Sequence, residues 1–519
     1  MKYPIGIQTF ERIREDGFVY VDKTDLVYDL VKGGSIYFLS RPRRFGKSLL
    51  LSTIKAYFQG KKDLFKGLAM ERLETEWEEY PVFHIDFNGI DFTKEGTLEK
   101  ALLGYVDDWE TVYGETSKEL AVGTRFKKLL ERAHQQTGKK AVVLIDEYDK
   151  PLLDVLDTPR EEENRNTLKA FYSTFKAADE DLQFVMLTGV TKFSQISVFS
   201  GFNQPKDISM SPRFETLCGI TEAELKQYFS REIDAIAEEQ GYTSEEMNQR
   251  FKEQYDGYHF SMNMVGVYNP FSLLSALDSH VLDDYWFQSG SPTYLIRLME
   301  HFNENINEMV GKYYPPSEFI NYRADVERPL PMIYQSGYLT IKAYNRYTRT
   351  YLLDLPNNEV KGGLVTMLAN SYLKPRQPAD SWCTDVADAL RLGDLETLRK
   401  LMTSFFASIP YSQRRKSDER ELERYFHYTF YLIMRMISVY TVFTEKETSE
   451  GRSDCVVETP GYVYIFEFKR DGTAQEAIDQ INRKGYAREY EADPRPLYKI
   501  GCNFSSETGT IDDWMVEER

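Results

Sequence analysis

Ile36-Tyr-Phe-Leu-Ser-Arg-Pro-Arg-Arg-Phe-Gly-Lys-Ser-Leu-Leu50 is the stretch whose reading decides the fold. An apolar, strand-like run feeds a Gly-Lys-Ser turn and then the apolar start of a helix, the arrangement that grips a triphosphate. Backbone N–H groups at a helix start meet phosphate oxygens, so Arg44, Phe45, Gly46, Lys47, Ser48 and Leu49 form the expected nucleotide-binding set. Lys47 is placed to reach the β- and γ-phosphates, and the Ser48 hydroxyl to ligate Mg²⁺. The full pattern carries a glycine five positions before Gly46, where this chain has Arg41. On the pattern alone, a fortuitous Gly-Lys-Ser at a strand-to-helix turn is the competing reading.

About a hundred residues on, Lys139-Lys-Ala-Val-Val-Leu-Ile-Asp-Glu-Tyr-Asp149 supplies a second half. A short β-branched run ending in adjacent carboxylates has the form of a buried parallel strand whose C-terminal end carries chemistry. Asp146 is expected in the Mg²⁺ shell and Glu147 as the residue that positions and deprotonates the attacking water. The alternative is an acidic strand end facing solvent, but order and spacing match those of a P-loop ATPase. A third strand, Phe184-Val-Met-Leu-Thr-Gly-Val190, ends in polar residues. Thr188 is the candidate sensor of the γ-phosphate, with a purely structural threonine as its alternative.

The chain has 519 residues, too many for one core, with 42% hydrophobic and 28% charged residues, the composition of a globular protein. No run approaches a membrane span, and Met1-Lys-Tyr-Pro-Ile-Gly6 lacks a signal-peptide apolar core, which predicts a cytoplasmic protein with no membrane partner. The four cysteines, Cys218, Cys383, Cys455 and Cys502, are scattered without a Cys-x-x-Cys pair, so reduced thiols are expected rather than a zinc site or disulfides. A formal net charge of −18 argues against diffuse nucleic-acid binding by the whole surface but leaves room for a local basic groove.

The first 215 residues alternate helix and strand, an α/β pattern with strands expected at Ser35 to Leu39, Val82 to Asp86, Ala141 to Ile145 and Phe184 to Thr188. The intervening Asn164 to Ala178 reads as a helix. Phe18-Val-Tyr-Val-Asp-Lys-Thr24 reads as a strand-like piece near the nucleotide or a cap on the next helix. From 216 to 360 helices dominate: Thr221-Glu-Ala-Glu224 forms a capping box and Asn269-Pro270 opens another helix. Leu330 to Lys342 with Thr348 to Leu355 suits a helix and hairpin of a winged-helix module, read as a lid rather than a DNA reader. A helical connector is expected over 361–410 and a last domain over 411–519, after the charged Tyr411-Ser-Gln-Arg-Arg-Lys-Ser-Asp-Glu-Arg420.

That last domain carries a second constellation. After a helix at Glu421 to Ser438 come Thr441-Val-Phe-Thr-Glu-Lys-Glu447, a Ser449 to Asp454 turn and the strand Tyr462-Val-Tyr-Ile-Phe-Glu-Phe-Lys469. Side chains alternate along a strand, so Glu467 and Lys469 share a face that Asp454 can meet across a hairpin. Two carboxylates converging with a lysine are what a Mg²⁺-dependent phosphodiesterase needs: acids to hold the metal, lysine to orient water or stabilise the transition state. A solvated face of alternating charge is the alternative. Gln480, on the helix expected after the strand, and Glu423, on the helix before the hairpin, are further candidates.

Taken together, Tyr20-Val-Asp-Lys-Thr24, Arg41-Pro-Arg-Arg-Phe-Gly-Lys-Ser48, Leu144-Ile-Asp-Glu-Tyr-Asp149, Gly189-Val-Thr191, Gly451-Arg-Ser-Asp454, Glu467-Phe-Lys469 and Gln480 resemble a two-part bacterial and archaeal family. That family joins an AAA-ATPase-like region to a C-terminal PD-(D/E)XK nuclease-superfamily domain, and Arg41 in place of the first glycine is typical of it. The resemblance covers nearly the whole chain. It implies a P-loop NTPase core with helices on both faces of a parallel sheet, ATP and Mg²⁺ at Gly46, Lys47, Ser48 and Asp146, and Glu147 as base. It implies nuclease roles for Asp454, Glu467 and Lys469, with Mg²⁺ or Mn²⁺; Ser453 stands where the motif's proline would be. Arg213, in Ser211-Pro-Arg-Phe214, is the arginine weighed as a finger. The expected function is an ATPase controlling a nuclease that acts on DNA, in defence against foreign DNA. The alternative is a nucleotide-dependent switch or scaffold whose last domain binds nucleic acid or protein without cutting.

Overall fold

The computed structural model describes residues 1–34, 36–156, 158–192, 205–289, 309–320, 329–363, 379–408, 430, 434, 441–448 and 451–518. They form two compact units, Met1–Val360 and Lys361–Arg519. The expected subdivisions at 215 and 410 lie inside these units.

The first unit is built on a parallel sheet of β1 (Ile36–Ser40), β2 (Val82–Asp86), β3 (Ala141–Asp146), β4 (Leu182–Gly189) and β5 (Lys206–Asp207), in the order β2-β3-β4-β1-β5. Strands covered on both faces read as unbroken apolar runs, and every residue of β3 is buried. Alternate side chains serve the two faces. Phe38, Phe83, Ile85, Val143 and Ile145 join the core made with helices Thr97–Tyr113, Val122–Thr137 and Arg160–Ala177. Tyr37 and Phe184 turn the other way, where Phe58 of the helix Lys47–Phe58 packs on Phe184 at 5.3 Å. Every expected strand of this sheet is present, within two residues at each end.

Of the two readings of Phe18–Thr24, the strand is absent, residues 18–23 pairing with no strand, and the segment instead serves the start of the helix Thr24–Gly33. Asp22 explains this, because Oδ1 accepts from the Thr24 N–H and hydroxyl while Oδ2 accepts from Ala69 N–H. The segment is therefore pinned by its own polar side chain rather than by a ladder.

A second core in this unit is formed by helices Glu222–Gln240, Ser244–Tyr255 and Pro270–Ser279 and joined by the N-terminal residues Tyr3, Ile5, Val19 and Val21. Thr221 and Glu224 make the reciprocal capping box, and Asn269 Oδ1 accepts from Phe271 N–H ahead of Pro270. Strands β6 (Ile220–Thr221) and β7 (Val267–Tyr268) pair antiparallel here. Beyond them β8 (Lys312–Tyr314), β9 (Thr340–Asn345) and β10 (Thr350–Asp354) form a small sheet in the order β8-β10-β9, with the short helix Leu330–Gln335 lying between β8 and β9 in the chain.

In the second unit β11 (Thr441–Thr448), β12 (Gly451–Glu458), β13 (Val463–Arg470), β14 (Leu497–Phe504) and β15 (Ile511–Glu518) form one sheet in chain order. Only β13 and β14 run parallel, with the helix Ala474–Arg483 between them. Val463 and Ile465 meet Ile478 and Ile481 of that helix. Tyr464, Phe466 and Phe468 face the other side, where the Tyr464 hydroxyl donates to Leu390 O of the helix Ala379–Leu392. Asp454 lies inside β12, not in a turn, because pairing of β12 with β11 starts at Gly451. Of Glu421–Ser438 only Phe430 and Met434 are described, both helical, so Glu423 lies outside the described residues. Cys218, Cys455 and Cys502 are buried free thiols, and the side chain of Cys383 lies outside the described residues.

Candidate functional site

The first site forms where β1, β3 and β4 end. After β1 the chain turns with Arg44 and Gly46 at φ 67° and 89°, and Lys47 begins its helix. The turn opens on a cavity of about 660 Å³, within the range of small-molecule sites. Arg44, Gly46, Lys47, Ser48, Leu49 and Glu147 line it, together with the N-terminal Pro4–Gln8 and with Pro270, Phe271 and Leu274 of the helix Pro270–Ser279. Lys47, though 4% exposed, has its Nζ 3.2 Å from Arg41 O and Pro42 O and 3.4 Å from Glu147 Oε1. A buried ammonium held by carbonyls and one carboxylate, at a helix start, is a cation aimed at phosphate.

Phe45, Asp146 and Thr188 stand behind this wall. Phe45 packs edge-on to Tyr258 at 4.8 Å and Phe260 at 5.7 Å, holding the loop rather than facing the cavity. Asp146 is buried, and its Oδ1 accepts from the Thr188 hydroxyl at 2.7 Å. Thr188 thus serves Asp146, and the cavity wall at the end of β4 is made instead by Val190 and Thr191. Arg213 is exposed and pairs with Asp29 at 2.8 Å, away from the lining.

Two residues missed in the sequence support this site. Arg41 is buried, stacks over Phe260 at 4.0 Å, and donates to Ser40 O, Ser209 O and Phe214 O. Asp149 is fully buried, and its Oδ2 accepts from Val190 N–H at 3.0 Å and Thr191 N–H at 2.6 Å. Burial, and then the Glu147 charge, raise its pKa above the usual carboxylate range. The signal was the third acid of Asp146-Glu-Tyr-Asp149, which sequence alone gives no partner.

The second site lies on β12 and β13. Continuing the pairing of Cys455 with Phe466 by one residue sets Asp454 opposite Glu467, and Asp454 Oδ2 accepts from Phe468 N–H at 2.8 Å. Glu467 and Lys469 share the face that the helix Ala474–Arg483 covers, and their charged groups stand 3.8 Å apart. Gln480 joins them: its amide donates to Glu467 Oε1 and its carbonyl accepts from Lys469 Nζ at 2.7 Å. The helix can come this close because Gly501, beside Glu467 in the sheet, has no side chain; a Cβ there would press on Ala474 O and stand 3.1 Å from Ala477 Cβ.

Glu467 Oε2 is buried with no protein partner. Burial, and then the charge of Asp454, raise the pKa of Glu467 above the usual carboxylate range. A divalent cation reverses both effects, so this pair of hard oxygen donors beside a lysine fits Mg²⁺ or Mn²⁺. Among the described residues no three His, Cys, Asp or Glu side chains gather at metal-holding distance.

Comparison with known proteins agrees with this geometry. Residues 4–199 match the family model described as a predicted AAA-ATPase, and residues 421–514 match that of the PD-(D/E)XK nuclease superfamily. An uncharacterized protein in the vnfD 5' region of Azotobacter chroococcum mcd 1 is 35% identical over 528 residues, covering 99% of each chain.

Proposed function

We propose that this chain, which belongs to the family joining an AAA-ATPase-like domain to a PD-(D/E)XK nuclease-superfamily domain, is an ATP-hydrolysing protein that controls a divalent-metal-dependent nuclease acting on DNA. The proposal places the ATPase core over 1–215, its lid over 216–360, a connector over 361–410 and the nuclease domain over 411–519, in a cytoplasmic protein acting against foreign DNA. No helix among the described residues is long and apolar enough to cross a membrane.

One juxtaposition carries the reading: Glu467, buried and with a free oxygen, opposite Asp454, with Lys469 at 3.8 Å and Gln480 bridging the two. Asp454 and Glu467 would hold a divalent Mg²⁺ or Mn²⁺, which would supply the activation of water. Lys469, oriented by Gln480, stabilises charge growing on the phosphate, and Asp454 keeps its strand in register through Phe468 N–H. In the other unit, Lys47 and Ser48 would hold the triphosphate and its Mg²⁺, Asp146, fixed by the Thr188 hydroxyl, would complete the metal shell through water or the Ser48 hydroxyl, and Glu147 would orient the attacking water.

The test is cleavage of labelled linear and circular DNA by the full chain with Mg²⁺ or Mn²⁺, with and without ATP, beside Lys469→Ala and Lys47→Ala. Metal-dependent cutting lost in Lys469→Ala, with ATP hydrolysis kept, supports the proposal. ATP hydrolysis without cutting of DNA moves the reading to the switch or scaffold. That second reading is favoured by one observation, that only two carboxylates meet at the site among the described residues.

A further inference from the structure

We propose that the lid turn Gln335-Ser336-Gly337-Tyr338 is a wall of the nucleotide site, with Ser336 and Tyr338 touching the phosphate tail of a bound nucleoside triphosphate and Gln335 positioning the Thr191-Lys192 backbone beside it. The inference rests on the nucleotide reading above and adds to it residues from a distant part of the sequence. Ser336, Tyr338 and Met332 line the same cavity as Gly46, Lys47, Ser48 and Thr191. The two hydroxyls are neutral donors of the kind phosphate oxygens accept.

The turn is fixed to the phosphate-binding loop. Gly337 has φ 91°, and a Cβ at this position would stand 2.7 and 2.8 Å from Cβ and Cγ of Pro42. The backbone of the turn therefore meets the Pro42 ring at a distance only glycine allows. Pro42 is also the residue whose carbonyl accepts from Lys47 Nζ at 3.2 Å, so the turn bears on the loop that orients that ammonium. Tyr338 packs against Trp286 with ring centres 5.1 Å apart and planes tilted by 55°, and the Trp286 indole N–H donates to Arg43 O at 3.2 Å.

The turn is also fixed to the end of β4. Gln335, nearly buried, accepts from Lys192 N–H at 2.8 Å through Oε1 and donates to Ile320 O at 2.5 Å through Nε2. One residue earlier, the Thr191 hydroxyl lies 3.5 Å from Met332 Sδ of the helix that ends in Gln335. The strand end that faces the cavity is thus held from below by Asp149 and from above by Gln335.

The test uses the full chain, with ATP affinity by calorimetry, steady-state hydrolysis and melting temperature measured together. Ser336→Ala combined with Tyr338→Phe leaves the backbone untouched and is expected to weaken ATP binding about tenfold at unchanged melting temperature, the size of losing hydrogen bonds to a charged group. Gln335→Leu is expected to lower kcat about tenfold with KM for ATP nearly unchanged, and Gln335→Glu, which keeps the acceptor for Lys192 N–H, to restore part of it. A merely structural role would lower the melting temperature without that split. Parent-like affinity in the double variant with parent-like kcat in Gln335→Leu overturns the inference while leaving the nucleotide reading intact. A parent chain that binds ATP no better than Lys47→Ala overturns both.

Discussion

Lys47 Nζ stands 3.4 Å from Glu147 Oε1, joining the phosphate-binding loop to the end of β3 across a hundred residues of sequence. The ion pair sets cation and base at one point of the cavity, so the two are separable by substitution. Lys47→Ala removes the phosphate ligand and is expected to weaken ATP binding at least a hundredfold. Glu147→Gln keeps the shape and loses the base, so binding should persist while hydrolysis falls by two orders of magnitude or more, on the order of 3 kcal/mol in the barrier. Equal losses of binding in both variants, measured by calorimetry, would remove Glu147 from the base role.

Asp149 offers a different kind of test, because what it supplies is geometry. Its Oδ2 alone accepts both Val190 N–H and Thr191 N–H. Asp149→Asn presents an amide oxygen at the same place and is expected to fold with a melting temperature close to that of the parent. Asp149→Ala leaves two buried N–H groups unpaired, at a cost of ~1–3 kcal/mol each, and should lower both the melting temperature and ATP hydrolysis. Equal losses in the two variants would show that the charge, not the acceptor, is what the strand end needs.

Arg41 occupies the position where the phosphate-loop pattern has a glycine, and restoring the glycine should do harm. Three carbonyls and the Phe260 ring depend on this guanidinium. Arg41→Gly strands these acceptors and opens a cavity behind the loop, an expected loss of ~3 kcal/mol or more in denaturant unfolding. A variant as stable as the parent would show that the loop holds its shape without the buttress.

The same residue shows how far the sequence could be read. Gly46-Lys47-Ser48 and Asp146-Glu147 were legible because their chemistry is written in contiguous residues at strand ends, and the β-branched run before Asp146 announces a buried strand. Glu467 and Lys469 were legible through the period of two along β13. The buttress of Arg41, the clamp of Asp149 and the seat of Gly337 on Pro42 were not, because each partner is a backbone group or a ring brought close only by tertiary packing. Thr188 shows the limit from the other side: its position at the end of β4 was right for a sensor, but its hydroxyl points at Asp146. Asp454 was legible as an acid on a neighbouring strand, while the turn read over Ser449 to Asp454 runs too long, because pairing of β12 with β11 already starts at Gly451.

Glu359 gives the first unit a pH-dependent stability. It is fully buried, accepts from Ser272 Oγ and Trp286 N–H, and burial pushes its pKa from the ordinary 4.5 up to about 8. Between these values the folded chain keeps a proton that the unfolded chain has released, so the contribution is fully present below about pH 4.5 and is lost as pH rises through about 8. The loss amounts to up to ~4 kcal/mol. Glu359→Gln cannot ionise, so the difference in stability between variant and parent should grow in favour of the variant from pH 5 to pH 9. Parallel unfolding curves across that range would contradict the shift.

Gln480 decides whether the second site is built for catalysis or only retains its carboxylates. It touches both Glu467 and Lys469, donating to the first and accepting from the second. Gln480→Leu keeps the volume and cuts both bonds, leaving Lys469 unaimed and a second oxygen of Glu467 without a partner. Cleavage of DNA by the full chain should fall by one to two orders of magnitude, the usual cost of losing an outer partner of a metal ligand or its lysine. Mn²⁺ affinity, read by calorimetry at one pH, should fall with it, because an unsupported Glu467 is free to rotate away from Asp454. Gln480→Glu provides the contrast: it keeps the acceptor for Lys469 and sets a third negative charge beside Asp454 and Glu467. Cutting should then stay low while metal binding recovers or exceeds that of the parent. Recovery of cutting together with metal binding would mean that Gln480 acts only by supporting the metal site, and that Lys469 needs no aim.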